Sequence, residues 1–387
     1  MYKLQNIDIA VFLRDYWQQK PLLIRQGFKD FQDPIDEHEL AGLTEEESVD
    51  SRIVNNQDGK WAVEHGPYDD INSHCLGQWS LLVQSVDHYV PDADSLMNTF
   101  DFIPVWRMDD LMVSYSNTGA GVGPHLDQYD VFIIQGKGSR RWQVGLPSHY
   151  ETIRPHRDLS QVTGFEPIID EVLSAGDIIY IPANHPHNGV ALEPCMNYSV
   201  GFRAPSQQEM LSSFADYAID HNTLTQRYKD EALSPREFTG EIKQQEVAQF
   251  KALLMQMLQS EQFDQWLPVF LSDNKKADDE SNQQIEEFSQ QAIIDMLNSG
   301  EYFHRNLGVK PIFVEPTTID KLSIQTFTFY IEGESYSGPA ASADIVKKFL
   351  SEPFISETVG EIQYSQHQDF TALLTLLVNN GHWYIED

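Results

Sequence analysis

Apolar residues recur at helical spacing over residues 8–19, where Ile9, Val11, Phe12, Leu13, Tyr16 and Trp17 predict an amphipathic helix that Pro21 ends. The run from Pro21 to Arg25 reads as a short extended element, and Asp36 to Leu43 and Trp79 to Val86 read as further short helices that cover the barrel. From Leu111 the period changes to two, and residues 111–116, 130–135, 140–144, 177–181 and 196–202 read as strands. Turn signals at Gly119 to Gly123, Gly136-Lys137-Gly138 and Gly176-Asp177 separate them. Short strands with no helix-length segment alternating between them predict a cupin-type jelly roll, a double-stranded β-helix, and disfavour a parallel α/β sheet.

After Pro205 the pattern turns helical again. Ser206-Gln207-Gln208-Glu209 has the form of a capping box, and the helix it opens carries Met210, Phe214, Tyr217 and Ala218 on one side. Glu241 to Leu258 carries an apolar stripe of Ile242, Val247, Phe250, Leu254, Met257 and Leu258, which packs either within the chain, the simpler expectation, or against a second copy. Asn274 to Asn282 reads as a polar linker. Beyond it come a helix near Ile285 to Leu297, strands near Thr326 to Ile331 and Ser335 to Tyr336, helices near Ala341 to Leu350 and Asp369 to Asn379, and a last strand from His382 to Ile385. That order is compatible with a winged helix. The expected domains are a catalytic barrel over 1–205 with its core from about 100 to 205, a helical segment over 206–272 and a winged-helix-like domain over 283–387.

A chain of 387 residues exceeds one ordinary core, in keeping with two or three domains. Its 59 acidic and 26 basic residues give a net charge of -33, which opposes direct binding to a bare phosphate backbone and favours a basic partner, unless the acid excess serves solubility alone. The C-terminal segment has few clustered Lys or Arg, so no direct DNA binding is expected of it. Cys75 and Cys195 lie far apart and fit neither a disulfide framework nor a thiolate metal site, which points to a reducing cytoplasm. No stretch approaches the roughly eighteen apolar residues of a membrane span, and Met1 to Asp8 lacks the pattern of an export signal.

The chemistry concentrates between Leu111 and Arg203. His125 and Asp127 sit two apart, so on an extended chain they face the same way while Leu126 turns into packing. The segment Gly176 to His187 has the glycine turn, apolar strand and proline corner that return a histidine to a cupin barrel. His185 and His187 share a face; the cupin spacing selects His187 and leaves His185 either at the rim or behind the ligands as a support. His125, Asp127 and His187 would then form a 2-His-1-carboxylate triad with open positions on Fe(II) for a co-substrate and dioxygen. His149 and His156 read as surface histidines. The vacant positions suit a bidentate organic acid whose far carboxylate needs a cation. Arg140 and Trp142 share one strand face and Arg141 takes the other, so Arg140 is the expected partner. Ser116 is expected to hydrogen-bond the same carboxylate, and Asn197 or Ser199 to stand near the metal-bound end.

The stretches Phe12 to Ile24, Gly123-Pro124-His125-Leu126-Asp127, Gly138-Ser139-Arg140-Arg141-Trp142 and Asn197 to Arg203 together resemble the JmjC-type ribosomal oxygenases, in particular their bacterial arginine-hydroxylating members. The resemblance implies a 2-oxoglutarate- and Fe(II)-dependent dioxygenase that hydroxylates the β-carbon of an arginine in the sixteenth protein of the large ribosomal subunit. It also implies that the barrel binds metal and substrate, that the helical segment forms a homodimer and that a winged helix comes after it. The triad carries over to His125, Asp127 and His187, and the carboxylate-binding pair to Ser116 and Arg140; many other JmjC branches have lysine in place of Arg140. A basic ribosomal substrate agrees with the acidic balance. Asp109, Asp110, Tyr129 and Asp130 are candidates for meeting an arginine near the mouth. Two competing readings remain: a JmjC demethylase of N-methyl-lysine, distinguished by formaldehyde release, and a non-catalytic cupin-like binding protein, which would turn over no 2-oxoglutarate.

Overall fold

The segment Asp130-Val131-Phe132-Ile133-Ile134-Gln135 is buried along its whole length, because both of its faces meet apolar layers. Phe132 and Ile134 point into an aromatic core under the N-terminal helices, and Val131 and Ile133 into the layer that contains Trp142 and Val144. A strand covered on both sides needs a continuous apolar run rather than an alternation. The computed structural model describes residues 2–230, 233–273, 287–315, 326–360 and 362–386, divided into two units at Ala204 and Pro205.

The first unit begins with α1 (Ile9–Asp15), β1 (Leu22–Ile24), α2 (Glu37–Leu43), β2 (Ser51–Gln57), β3 (Lys60–His65), β4 (Gln78–Val83) and α3 (Pro91–Met97). It continues with β5 (Met108–Ser116), β6 (Asp130–Gln135), β7 (Ser139–Gly145), β8 (Glu151–His156), β9 (Leu159–Thr163), β10 (Pro167–Ser174), β11 (Ile178–Ile181), β12 (His187–Ala191) and β13 (Cys195–Phe202). One eight-stranded sheet has the order β1-β11-β6-β13-β5-β4-β2-β3, and a smaller sheet has the order β10-β7-β12. Every pairing in the two sheets is antiparallel, as a jelly roll requires. On the outer face of the large sheet, Phe132 packs against Phe100, Phe202 and Tyr180 at ring separations of 4.6, 5.7 and 4.9 Å.

Two elements differ from the sequence expectation. The first helix ends at Asp15 rather than near residue 19, because Gln18 takes a left-handed backbone (φ 56°) and its amide donates to the Tyr180 hydroxyl at 2.8 Å, which draws the chain onto the barrel. Residues 78–83 form strand β4, not a helix. Leu81 and Val83 enter the aromatic core while Ser80 and Leu82 face the opposite side, so burial on both faces conceals the period of two. The hairpin β2–β3 beside it is an addition that the expected short helices left out.

The second unit contains α4 (Gln207–Asp220), α5 (Gln244–Leu258), α6 (Glu261–Ser272), α7 (Gln290–Ser299), β14 (Tyr302–Arg305), β15 (Ile312–Phe313), β16 (Thr326–Ile331), β17 (Glu334–Pro339), α8 (Ala343–Ser351), β18 (Phe354–Ile355), α9 (Gln368–Asn379) and β19 (Trp383–Glu386). The capping box forms as expected: Ser206 Oγ accepts from the Glu209 amide at 3.1 Å and the Glu209 carboxylate accepts from the Ser206 amide at 2.7 Å. Two three-stranded sheets, β18-β14-β19 and β15-β16-β17, share a core built on Phe303, Phe329, Phe349 and Trp383. The stripe on α5 is not in any core. No residue of α5 is buried, and Phe250, Leu254 and Leu258 are 49%, 58% and 48% exposed, against the expectation of packing within the chain. The anticipated linker at 274–282, and the start of the helix expected from 285, lie outside the described residues. No helix among those described is long and apolar enough to cross a membrane.

Phe132 is fully buried at the centre of the aromatic layer, so Phe132→Ala is expected to lower the unfolding free energy of the barrel by about 3–5 kcal/mol. Urea denaturation with an unchanged slope measures this, and a loss below about 0.5 kcal/mol would show that the layer is not what holds the sheet.

Candidate metal centre

His125 lies between β5 and β6, outside any regular strand. A single antiparallel bridge holds it: its amide donates to the His187 carbonyl at 3.0 Å, and the His187 amide donates to the His125 carbonyl at 3.0 Å. The Asn184 amide donates to the Asp127 carbonyl at 2.7 Å, which ties the proline corner to the same segment. The backbones come close enough that a Cβ on Gly121 would stand 2.2 Å from the Gly189 carbonyl oxygen, and one on Gly189 would stand 2.8 Å from the Trp142 ring. Leu126 lines the cavity together with its neighbours instead of turning into packing, because one bridge does not impose the strict alternation of a ladder.

This frame brings His125, Asp127 and His187 together, with one ligand-type atom from each lying within 4.8 Å of the others. Asp127 Oδ2 is 3.3 Å from His187 Nε2 and 3.8 Å from His125 Nε2. The far nitrogens are engaged elsewhere: His125 Nδ1 is 2.9 Å from the Gly123 carbonyl and His187 Nδ1 is 2.9 Å from the His185 carbonyl. A carbonyl can only accept, so each Nδ1 carries a proton and each Nε2 presents a lone pair to the shared point in the neutral ring. Burial and the neighbouring His187 push His125 down to about 4. Burial alone would raise Asp127, but the two imidazoles outweigh it and hold the carboxyl at about 2. Burial also works against a charge on His187, yet contact with Asp127 raises it overall. Two imidazole nitrogens and an ionised carboxylate on one side of a cavity are a donor set suited to a divalent first-row metal, and leave part of its coordination sphere to other ligands.

The cavity, of about 230 Å³, is lined by residues of the eight-stranded sheet, of the β10-β7-β12 sheet and of the β8–β9 hairpin. Arg140 and Trp142 point into it, and Arg141 faces outward with two contacts of 2.6 Å to Asp170. Arg140 is 6% exposed; its Nη2 donates to Ser116 Oγ, its Nε has no partner, and its guanidinium carbon lies 5.9 Å from the Trp142 ring. Ser116 Oγ in turn is 2.7 Å from Ser80 Oγ. A buried guanidinium with unspent donors is matched to a carboxylate. Asn197 lines the same space; its amide donates to Gln135 Oε1 at 3.0 Å and its own Oδ1 is buried without a partner. Ser199 also lines the cavity.

The remaining candidates separate clearly. His185 is buried with Nδ1 3.3 Å from the Ala183 carbonyl and does not line the cavity; of its two expected places it takes the one behind the ligands, where its carbonyl holds His187 Nδ1 at 2.9 Å. His149 is exposed, and His156 is half-buried 3.7 Å from Asp158. Asp130 is buried among Tyr180, Gln18 and Arg107 at 2.7, 3.0 and 3.3 Å, and Asp110 is buried while accepting from the Ser85 amide at 3.0 Å. Neither these two nor Asp109 is among the cavity-lining residues, but Tyr129 is. Sequence reasoning missed Arg52, Gln84 and Asp158, which also line it. The i, i+2 pattern of Ser80, Leu82 and Gln84 would have exposed Gln84 had 78–83 been read as a strand.

The JmjC domain family matches residues 95–210, the stretch that carries the triad and Arg140. Over 377 residues, 97% of both chains, the sequence is 41% identical to ribosomal protein uL16 3-hydroxylase of Escherichia coli K12. It is 36% identical to a probable ribosomal oxygenase of Haemophilus influenzae over 269 residues, 67% of each chain. Two solved structures of YcfD, a ribosomal oxygenase of Escherichia coli, one in complex with cobalt and 2-oxoglutarate and one with cobalt and succinic acid, each cover 100% of both chains at 39% identity and a TM-score of 0.86. With the geometry of the centre, this likeness over nearly the whole length shows that the chain belongs to the JmjC ribosomal oxygenases.

Proposed function

We propose that this protein is an Fe(II)- and 2-oxoglutarate-dependent oxygenase that hydroxylates the β-carbon of an arginine in the large-subunit ribosomal protein uL16. The observation that carries the reading is the convergence of His125 Nε2, His187 Nε2 and the Asp127 carboxylate on one point of a cavity that also holds the Arg140 fork. The relative that is 41% identical is named for 3-hydroxylation of uL16, and a related structure holds cobalt and 2-oxoglutarate. When bound, iron would supply the oxidising chemistry, with one oxygen atom of dioxygen entering succinate as 2-oxoglutarate loses carbon dioxide and the other inserted into the target C–H bond.

The chain supplies binding, orientation and exclusion of water. His125, Asp127 and His187 would hold the metal, with their orientation fixed by the carbonyls behind the two imidazoles. Arg140 and Ser116 would fix the distal carboxylate of the co-substrate, with Asn197 or Ser199 beside its metal-bound end. Leu82, Val131, Ile133 and Trp142 line the cavity with apolar surface. The net charge of -33 suits a basic ribosomal protein. The free thiols Cys75 and Cys195 suit the cytoplasm in which that protein is found.

Residues 206–272 serve as a homodimerisation segment in this reading, supported by the exposed apolar residues Leu211 and Ile219 of α4 and Phe250 and Leu254 of α5. Residues 283–387 serve as a winged-helix-like domain, supported by the helices and short antiparallel sheets around the Phe303 core.

Incubation of uL16 with the iron-loaded protein, 2-oxoglutarate and air is expected to add one oxygen atom to an arginine, read by peptide mass; loss of a methyl group with release of formaldehyde would replace hydroxylation by demethylation. Arg140→Ala is expected to retain metal while its 2-oxoglutarate requirement rises by about tenfold or more, from loss of a charge-assisted partner. An unchanged requirement would move that role to another residue. Light scattering should return twice the chain mass, and Phe250→Glu with Leu254→Glu should return it once; a monomeric parent protein would remove residues 206–272 from this role.

A further inference from the structure

Arg140 shares the cavity with a second guanidinium. Arg52, on β2, lines the space along with Gln84, Asp158 and Ser160, and it is half-buried where Arg140 is buried. Its cross-strand neighbours are His65 on β3 and Leu82 on β4, and among the described residues its side chain has no hydrogen bond or ion pair. The acid nearest in role, Asp158, is engaged by Arg157 at 3.1 Å and faces His65 and His156 at 3.6 and 3.7 Å. The charge of Arg52 reaches the triad and its neighbour Tyr129: it favours the ionised forms of Asp127 and Tyr129 and opposes a proton on His125.

A free cation here is at odds with a substrate that is itself a cation. An arginine side chain entering from a basic protein meets repulsion from Arg52, whereas a dicarboxylate meets attraction. The dicarboxylate also needs the help, since a protein of net charge -33 repels a dianion at long range. Resting on the oxygenase reading, we propose that Arg52 is an electrostatic guide for 2-oxoglutarate, drawing the dianion into the cavity and holding off the target arginine until that dianion has offset the two guanidinium charges. Arg140 is the seat and Arg52 the approach. The two residues therefore differ in kinetics: losing the seat speeds departure of the co-substrate, and losing the guide slows its arrival.

The test is rapid mixing of 2-oxoglutarate with Mn(II)-loaded protein, monitored by tryptophan fluorescence, since Trp142 lines the cavity. Arg52→Gln should lower the association rate about fivefold at low salt with an unchanged dissociation rate, as expected for one charge acting on a dianion across a few ångströms of wet cavity. The difference should vanish near 1 M salt, where screening falls to about 3 Å, and Arg52→Lys should restore the rate. A basic arginine-containing uL16 fragment, added before the co-substrate, should bind Arg52→Gln more tightly than the parent. An unchanged association rate, a faster dissociation or weaker fragment binding would each overturn the guide and make Arg52 either inert or a direct contact. Failure of the parent protein itself to bind 2-oxoglutarate would overturn the oxygenase reading as well.

Discussion

The structure of the centre depends on one short bridge, the pair of 3.0 Å hydrogen bonds between the backbones of His125 and His187. It joins two stretches that lie far apart in sequence and belong to no common ladder, and it sets the distance between two imidazoles before any metal is considered. The close approach it requires explains the small residues around it, because side chains at Gly121 and Gly189 would strike the facing backbone and the Trp142 ring. Preorganisation of this kind places the ordering cost in folding rather than in binding.

Strand β7 performs the second division of labour by parity alone. Arg140 and Trp142 turn inward, and Arg141 turns outward to Asp170, so one basic pair supplies both a buried cation in the cavity wall and a surface ion pair. The surface pair contributes little stability, whereas the buried guanidinium keeps donors unspent for a ligand. Ser80 and Ser116 then fix where that fork lies. The cavity thus holds its polar groups at defined points in an otherwise apolar lining, which is the general form of a small-molecule site.

Much of this was legible in the sequence, and the exceptions share a cause. Parity on β7 survives without tertiary information, since it depends only on extended backbone, and the two-residue spacing marks His125 and Asp127 as a pair, whereas the bridge that brings the distant His187 to them is a tertiary contact. Residues 78–83 did not, because a strand buried on both faces loses its alternation and imitates a helical stripe. Strand β2 buries Ile53, Val54 and Asn55 in succession and so loses its alternation, and β8 beside Asp158 is polar and mostly exposed, so Arg52 and Asp158 had no local signal. The stripe on α5 was visible as a stripe, but sequence alone could not tell a core from an uncovered face.

Whether three side chains act as one metal site is decided by calorimetric titration of Mn(II), under anaerobic conditions, into the parent protein and into Asp127→Ala. One equivalent bound per chain by the parent, and its loss in the variant with the fold intact by circular dichroism, is the expected result. Equal binding by both proteins would place the metal elsewhere and contradict the convergence of His125, Asp127 and His187 as the functional centre.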